Sequence, residues 1–293
     1  MSVIRSTFNG RLAALQSGTA RNASRLGKAQ EVATTGLKVQ RPSDDPARSG
    51  RLYAIDEQLA DQAVWRDNAE WAEGLLVAAD EALTDIVDAL GQARVLAVQL
   101  SNDSYGPSDR TNAVVSAQRL LERALASANT SFAGRSIFAG EAWDGPAYDA
   151  TGAYLGDTGA PEIPVGEGLA VRSGFDGSDL LQGGGDVVVA FSNLVANLAT
   201  GDADIVRSTL DDIDGAIAQL AEARTIVGNE MLNAGDAIEL SESLELSFSD
   251  AARNIREADL PTAYTNLFAA QQAYQASLQV TAQSRSSLLF NLL

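Results

Sequence analysis

The chain has 293 residues, no cysteine and no histidine, and a net charge of −18 from 39 acidic against 21 basic side chains. Disulfides, thiolate nucleophiles and zinc–thiolate sites are excluded, and the commonest general base and metal ligand is missing. Such an acidic balance argues against nucleic acid and against an anionic membrane surface as partners, and no apolar run approaches the ~20 residues of a membrane span.

The charge is unevenly spread. Residues 1–38 carry six basic groups and one acid, residues 262–293 carry only Arg285, and the middle is strongly acidic. The opening Met1–Gln16 lacks the continuous apolar core of a cleavable signal peptide. The protein is therefore expected to stay inside the cell or to leave by a route that needs no such peptide.

Phe8, Leu12, Leu15, Thr19, Asn22, Leu26, Ala29 and Ala33 recur in steps of four and three, the seam of a coiled coil. Thr19 and Asn22 are polar seam positions, which cost stability and fix register. Gly36 ends this helix. In Arg41-Pro42-Ser43-Asp44-Asp45-Pro46, Pro42 holds Arg41 extended, Asp45 suits an N-cap and Pro46 a first helical position. A long helix follows to about Asn102, with Leu76, Leu83, Ile86, Leu90, Val95 and Leu100 as its apolar positions. Gly106 and Pro107 mark a turn, after which Ser108 or Asp109 caps a helix running to about Asn129.

From Gly134 to Asp186 glycine and proline cluster and helical periodicity disappears. Short apolar runs at Ile137–Ala139, Ala153–Leu155, Ile163–Val165 and Leu169–Val171 predict a small inserted β subdomain. Val187–Phe191 is a further strand or the start of a short helix. Asp202 caps a second long helix, whose seam runs Val206, Leu210, Ile213, Ile217, Leu220, Arg224, Val227, Met231, Ala234 and Ile238. Asp259-Leu260-Pro261 breaks it.

The last stretch repeats the seam at Tyr264, Leu267, Gln271, Tyr274, Leu278, Thr281, Arg285, Leu288 and Leu292, flanked by Phe268 and Phe290. A surface helix ending a soluble protein should carry several charges, and this one carries one. The fold predicted is mainly α, a long antiparallel helical bundle or coiled coil with a small β-rich insert. Asp211-Asp212-Ile213-Asp214-Gly215 misses the calcium-loop ligand positions and reads as a charged helix face. Gly183–Asp186 lacks the Lys-Ser/Thr of a phosphate loop. No catalytic, cofactor or metal residues are assigned, and no enzyme is expected.

Gln30-Glu31-Val32-Ala33-Thr34-Thr35-Gly36-Leu37-Lys38-Val39, followed by Arg41 to Pro46, resembles the N-terminal signature of the flagellin superfamily. The Arg-Pro-Ser-Asp-Asp-Pro form is similar to that of the hook-associated protein 3 branch, the hook–filament junction proteins, where flagellins usually have Asp-Asp-Ala-Ala-Gly. Ala93–Gln99, Ala128–Thr130, Ile137–Gly140, Ile255–Leu260, Gln275–Gln279 and Ser286–Leu289 also resemble that branch. The resemblance implies terminal D0 helices at 1–40 and 261–293, a D1 bundle from 41–133 and 191–260, and an outer domain at 134–190. It implies export through the flagellar type III apparatus and a chaperone on the C-terminal segment. It also implies assembly as a ring of copies of this chain beside a neighbouring hook-associated protein and flagellin, outside the cell. The expected assembly interface is Phe8, Leu12, Leu15, Leu26, Tyr264, Leu267, Phe268, Tyr274, Leu278, Leu288 and Leu292, and the expected linker is Arg41, Pro42, Ser43, Asp44, Asp45 and Pro46. A short filament-forming flagellin and a soluble coiled-coil binding module with closed ends are the alternatives.

Overall fold

The computed structural model describes residues 8–290, with the side chains of residues 13–284. In chain order the elements are α1 (Phe8–Thr35), α2 (Pro46–Leu100), α3 (Pro107–Ala128), β1 (Ser131–Phe132), β2 (Arg135–Ser136), β3 (Glu162–Gly166), β4 (Leu169–Arg172), α4 (Gly177–Gln182), α5 (Val187–Thr200), α6 (Ala203–Arg256) and α7 (Leu260–Phe290). The fold is mainly helical, and the strands described form two small antiparallel sheets.

Helix boundaries follow from local chemistry. Gly36 adopts φ +71° and its N–H donates to the Val32 carbonyl at 2.9 Å, closing α1. Asp45 accepts from the Arg48 N–H at 3.0 Å, so α2 opens with Asp45 as cap and Pro46 first. Asp202 accepts from the Asp204 N–H at 2.8 Å and starts α6. The cap of α3 differs from expectation. The helix begins at Pro107 after Gly106, and Asp109 reaches back to accept the Gly106 N–H at 2.9 Å.

The chain divides into two units, one of residues 1–59 with 246–293 and one of residues 60–245. In the second, α2 and α6 run antiparallel. Their register is marked by three ion pairs, Arg94–Asp214 at 2.6 Å, Arg224–Asp80 at 2.8 Å and Arg66–Glu245 at 2.7 Å. Numbers fall along α2 as they rise along α6. These pairs are solvent-accessible and contribute little stability individually. The stabilisation comes from the apolar layer beneath them, including Leu75, Leu76, Leu83, Ile86 and Leu90 of α2 and Val206, Ile213, Leu220 and Val227 of α6, all fully buried. Val95, expected in this layer, is 67% exposed, and Ala93 and Ala97 are buried in its place.

Two of the four expected strands are present, Ile163–Val165 within β3 and Leu169–Val171 within β4. They are joined at Glu167-Gly168, where Gly168 takes φ +73°. The runs Ile137–Ala139 and Ala153–Leu155 make only single bridges, Ala139 with Asp176 and Tyr148 with Tyr154. The insert is held by side chains more than by strand pairing. Phe138, Tyr148, Phe175 and Phe191 are buried together, and Asn129 clamps Tyr148 by accepting its N–H at 2.8 Å and donating to its carbonyl at 2.9 Å. Val187–Phe191 is the first part of α5, capped by Asp186, and α4 before it carries no periodic signal in the sequence.

Candidate assembly surface

In the unit formed by residues 1–59 and 246–293, α1 and α7 pack side by side and antiparallel. The inward line of α1 is Leu15, Thr19, Asn22, Leu26, Ala29 and Ala33, each at least half-buried, as its heptad predicts. The polar seam positions find partners across the pair. The Thr19 and Thr281 hydroxyls lie 3.2 Å apart, and Asn22 donates through Nδ2 to the Ala273 carbonyl at 3.3 Å. A polar group on such a seam is tolerated only in the register that supplies its hydrogen bond.

On α7 the inward line is Ala263, Leu267, Ala270, Tyr274, Ser277, Thr281 and Ser284, with Gln271 beside it. Leu267 and Tyr274, two of the expected interface residues, therefore face α1 within the same chain. Tyr264, Phe268 and Leu278 do not; they are exposed, Phe268 at 62%, together with Leu260 and Val280. Tyr264, Phe268 and Leu278 lie on one flank of the α1-facing line, and from Leu260 to Ser284 this helix bears no acidic or basic side chain. Of the remaining expected interface residues, Leu292 lies outside the described residues, as do the side chains of Phe8, Leu12 and Leu288.

The two breaks between helices are tied to each other. The Lys38 N–H donates to the Arg256 carbonyl at 2.8 Å, and the Ala258 N–H to the Gly36 carbonyl at 2.7 Å, around the bridge Leu37–Glu257. Lys38 adds a bond from Nζ to the Asn254 carbonyl at 2.7 Å. Beneath the clip, Val39, Leu52 and Ala252 form a small buried cluster with Ile55 and Ile255 against it. In the linker itself Asp44 accepts the Arg41 N–H at 3.0 Å, Asp44 N–H bonds back to the Arg41 carbonyl at 2.9 Å, and Arg41 pairs with Glu31 at 3.1 Å. Asp44 thus closes a turn around Pro42 and Ser43, while Asp45 alone caps α2. The backbone clip has no signature in side-chain pattern and could not be read from the sequence.

Comparison with known proteins places this geometry. Residues 7–142 match the bacterial flagellin N-terminal helical region and residues 210–293 the bacterial flagellin C-terminal helical region, together about three-quarters of the chain. A flagellin of Listeria monocytogenes is 21% identical over 91% of this chain and 91% of its own length. The flagellar hook-associated protein 3 of Escherichia coli is 24% identical over 89% of this chain and 91% of its own. Among solved structures, a putative flagellar hook-associated protein of Vibrio parahaemolyticus superposes with a TM-score of 0.66 at 20% identity, covering 73% of this chain and 100% of that one. FlgL of Xanthomonas campestris gives 0.60 at 18% identity, covering 68% and 99%.

Proposed function

The chain belongs to the flagellin family, and from that premise we propose that it is the structural subunit that joins hook to filament in the bacterial flagellum. The observation that carries this reading is the apolar flank of α7 left open after α1 and α7 have paired. Tyr264, Phe268 and Leu278 meet neighbouring copies in a ring, while Leu15, Leu26, Leu267 and Tyr274 hold the helix pair that presents them. Residues 1–40 and 261–293 form the inner tube, 41–133 and 191–260 the bundle around it, and 134–190 the outer domain. The Arg41–Pro46 linker and the second break let tube and bundle adjust as copies assemble. The subunit works outside the cell, exported through the flagellar type III apparatus, its C-terminal segment held by a chaperone beforehand. Its neighbours are a further hook-associated protein on one side and flagellin on the other. Its work is assembly, with no catalysis.

The Listeria flagellin match favours a second reading, a short flagellin that grows a filament by itself. Seeded assembly on hook fragments, watched by electron microscopy, separates the two. A short cap that stops growing and then accepts flagellin is the expected result; long filaments from this protein alone would refute the junction role. Phe268→Asp and Leu278→Asp are expected to abolish capping while leaving the unit of residues 60–245 folded by circular dichroism. Normal caps from both variants would remove the α7 flank from the interface.

A further inference from the structure

One face of α1 is unlike the rest of this acidic chain. Arg21, Arg25 and Lys28 follow one another in steps of four and three, beginning three residues after Gly18, and all three are exposed. None has an ion-pair or hydrogen-bond partner among the described residues. The one acid of α1, Glu31, is taken by Arg41. The helix packed against α1 offers no acidic side chain over its described length. Three unpaired cations within two helical turns on a chain of net charge −18 make a surface whose counter-charge lies elsewhere.

An exposed stripe with matching spacing and opposite sign exists on α6. Leu232, Asp236, Glu239 and Ser243 follow steps of four, three and four; Leu232 is 68% exposed, and Leu240 beside them is also exposed. Asp236 and Glu239 likewise have no ionic partner among the described residues, although α6 places other carboxylates in salt bridges at Asp214 and Glu245.

We propose that the Arg21–Arg25–Lys28 stripe of α1 docks on the Leu232–Asp236–Glu239–Ser243 stripe of α6 in a second copy of this chain. The proposal rests on the assembly reading above and assigns a surface to it. The two stripes have the same three–four periodicity, so the cations fall opposite the carboxylates when the helices lie side by side. Leu232 and Leu240 then lose water beside the contact. This contact is electrostatic, in contrast to the apolar flank of α7. It weakens as salt shortens the screening length from about 10 Å at 0.1 M towards 3 Å at 1 M.

The absence of native cysteine allows a direct test. Full-length Arg25→Cys chains are mixed with Glu239→Cys chains, assembled on hook fragments and oxidised mildly. A disulfide-linked heterodimer is expected, and none when Leu155→Cys, exposed in the insert, replaces Glu239→Cys. In parallel, R21E/R25E/K28E should raise the concentration for half-maximal assembly by roughly tenfold to a hundredfold, the size of several exposed pairs lost together. D236K/E239K in the same chain should restore it. Assembly of the triple variant at the native concentration, or failure of the second pair of substitutions to restore it, would overturn the proposal while leaving the junction reading intact. If the native chain caps no hooks, that reading falls. The stripes are then decided by sedimentation of the free protein at low salt, where a monomer at all concentrations overturns them. Binding of anionic vesicles or RNA that depends on Arg21, Arg25 and Lys28, with no heterodimer formed, would assign the stripe to another partner and also overturn it.

Discussion

Arg110 is only 4% exposed and makes no ion pair among the described residues. Its guanidinium is held by three backbone carbonyls, through Nε to Leu100 at 2.7 Å, through Nη2 to Asn102 at 3.0 Å and through Nη1 to Gly201 at 3.3 Å. These are carbonyls at the C-terminal ends of α2 and α5, where helix dipoles place negative partial charge. Replacing it by methionine keeps the aliphatic bulk and removes all three bonds. A hydrogen bond to a charged group contributes about 1.5–3 kcal/mol. Asn102 is exposed and Gly201 half-buried, so water can replace the guanidinium there, whereas Leu100 is buried and its carbonyl is stranded. Relief from burying a charge offsets part of the loss. The net cost of Arg110→Met is therefore about 2–4 kcal/mol, and Arg110→Lys should do no better, since an ammonium cannot span three diverging carbonyls. Trp65, Trp71 and Trp143 all lie in residues 60–245, so urea unfolding followed by tryptophan fluorescence reports this unit. A Met variant within about 0.5 kcal/mol of native would show that guanidinium desolvation cancels the three bonds, and the reasoning would fail.

Two further outcomes test the same unit. A Cβ on Gly185 would collide with the Gly215 carbonyl group, backbone against backbone. Gly185→Ala should thus cost at least about 2 kcal/mol in the urea assay, and an unchanged midpoint would mean that this approach is not maintained in solution. Burial pushes the Tyr154 phenol up to about 12 and Tyr148 higher still. A raised folded-state value contributes stability that is complete below the unfolded value of about 10 and is lost as pH rises through the folded one. Unfolding should therefore set in between pH 10 and 12, with the last tyrosinate absorbance appearing together with it. Tyr148→Phe should remove part of that absorbance, and ionisation of Tyr148 well before the fold is lost would contradict the burial argument.

The helical plan was legible because long amphipathic periods survive tertiary packing. The α1 heptad from Leu15 to Ala33 faces inward throughout. On α7 the same rule chose Leu278 and Tyr264, where the fold turns the half-buried Ser277 and the buried Ala263 inward. A rule that seeks large apolar side chains misses seams in which small residues let two backbones approach, and a straight helix drifts against a strict seven-residue repeat. Val95 was misplaced for the same reason, because Ala93 and Ala97 hold the core positions. In the insert, Phe138 and Tyr148 were visible as residues but not as a core, since each is pinned by partners far away in sequence. Arg110 left no signal, because its three partners are backbone atoms.

The large residues that α7 leaves outside the helix pair bear most directly on function. Had Tyr264, Phe268 and Leu278 faced α1, the helix pair would be a closed module, and the soluble coiled-coil alternative would account for it. Instead the pair is closed by small and polar residues, Ser277, Thr281, Thr19 and Asn22 among them, with two hydrogen bonds fixing register. Leu15, Leu26, Leu267 and Tyr274 share this seam, while Tyr264, Phe268 and Leu278 are left outside. That division suits a protein that must be soluble as one copy and associate as many. The inner seam supplies specificity at small hydrophobic gain, and the outer flank retains burial that only a neighbour can provide. Each of Tyr264, Phe268 and Leu278 would gain about 1 kcal/mol or more on losing its remaining exposed area. In a ring every subunit presents the flank once, so Phe268→Asp should act at every contact simultaneously, whereas in a closed module it would touch nothing.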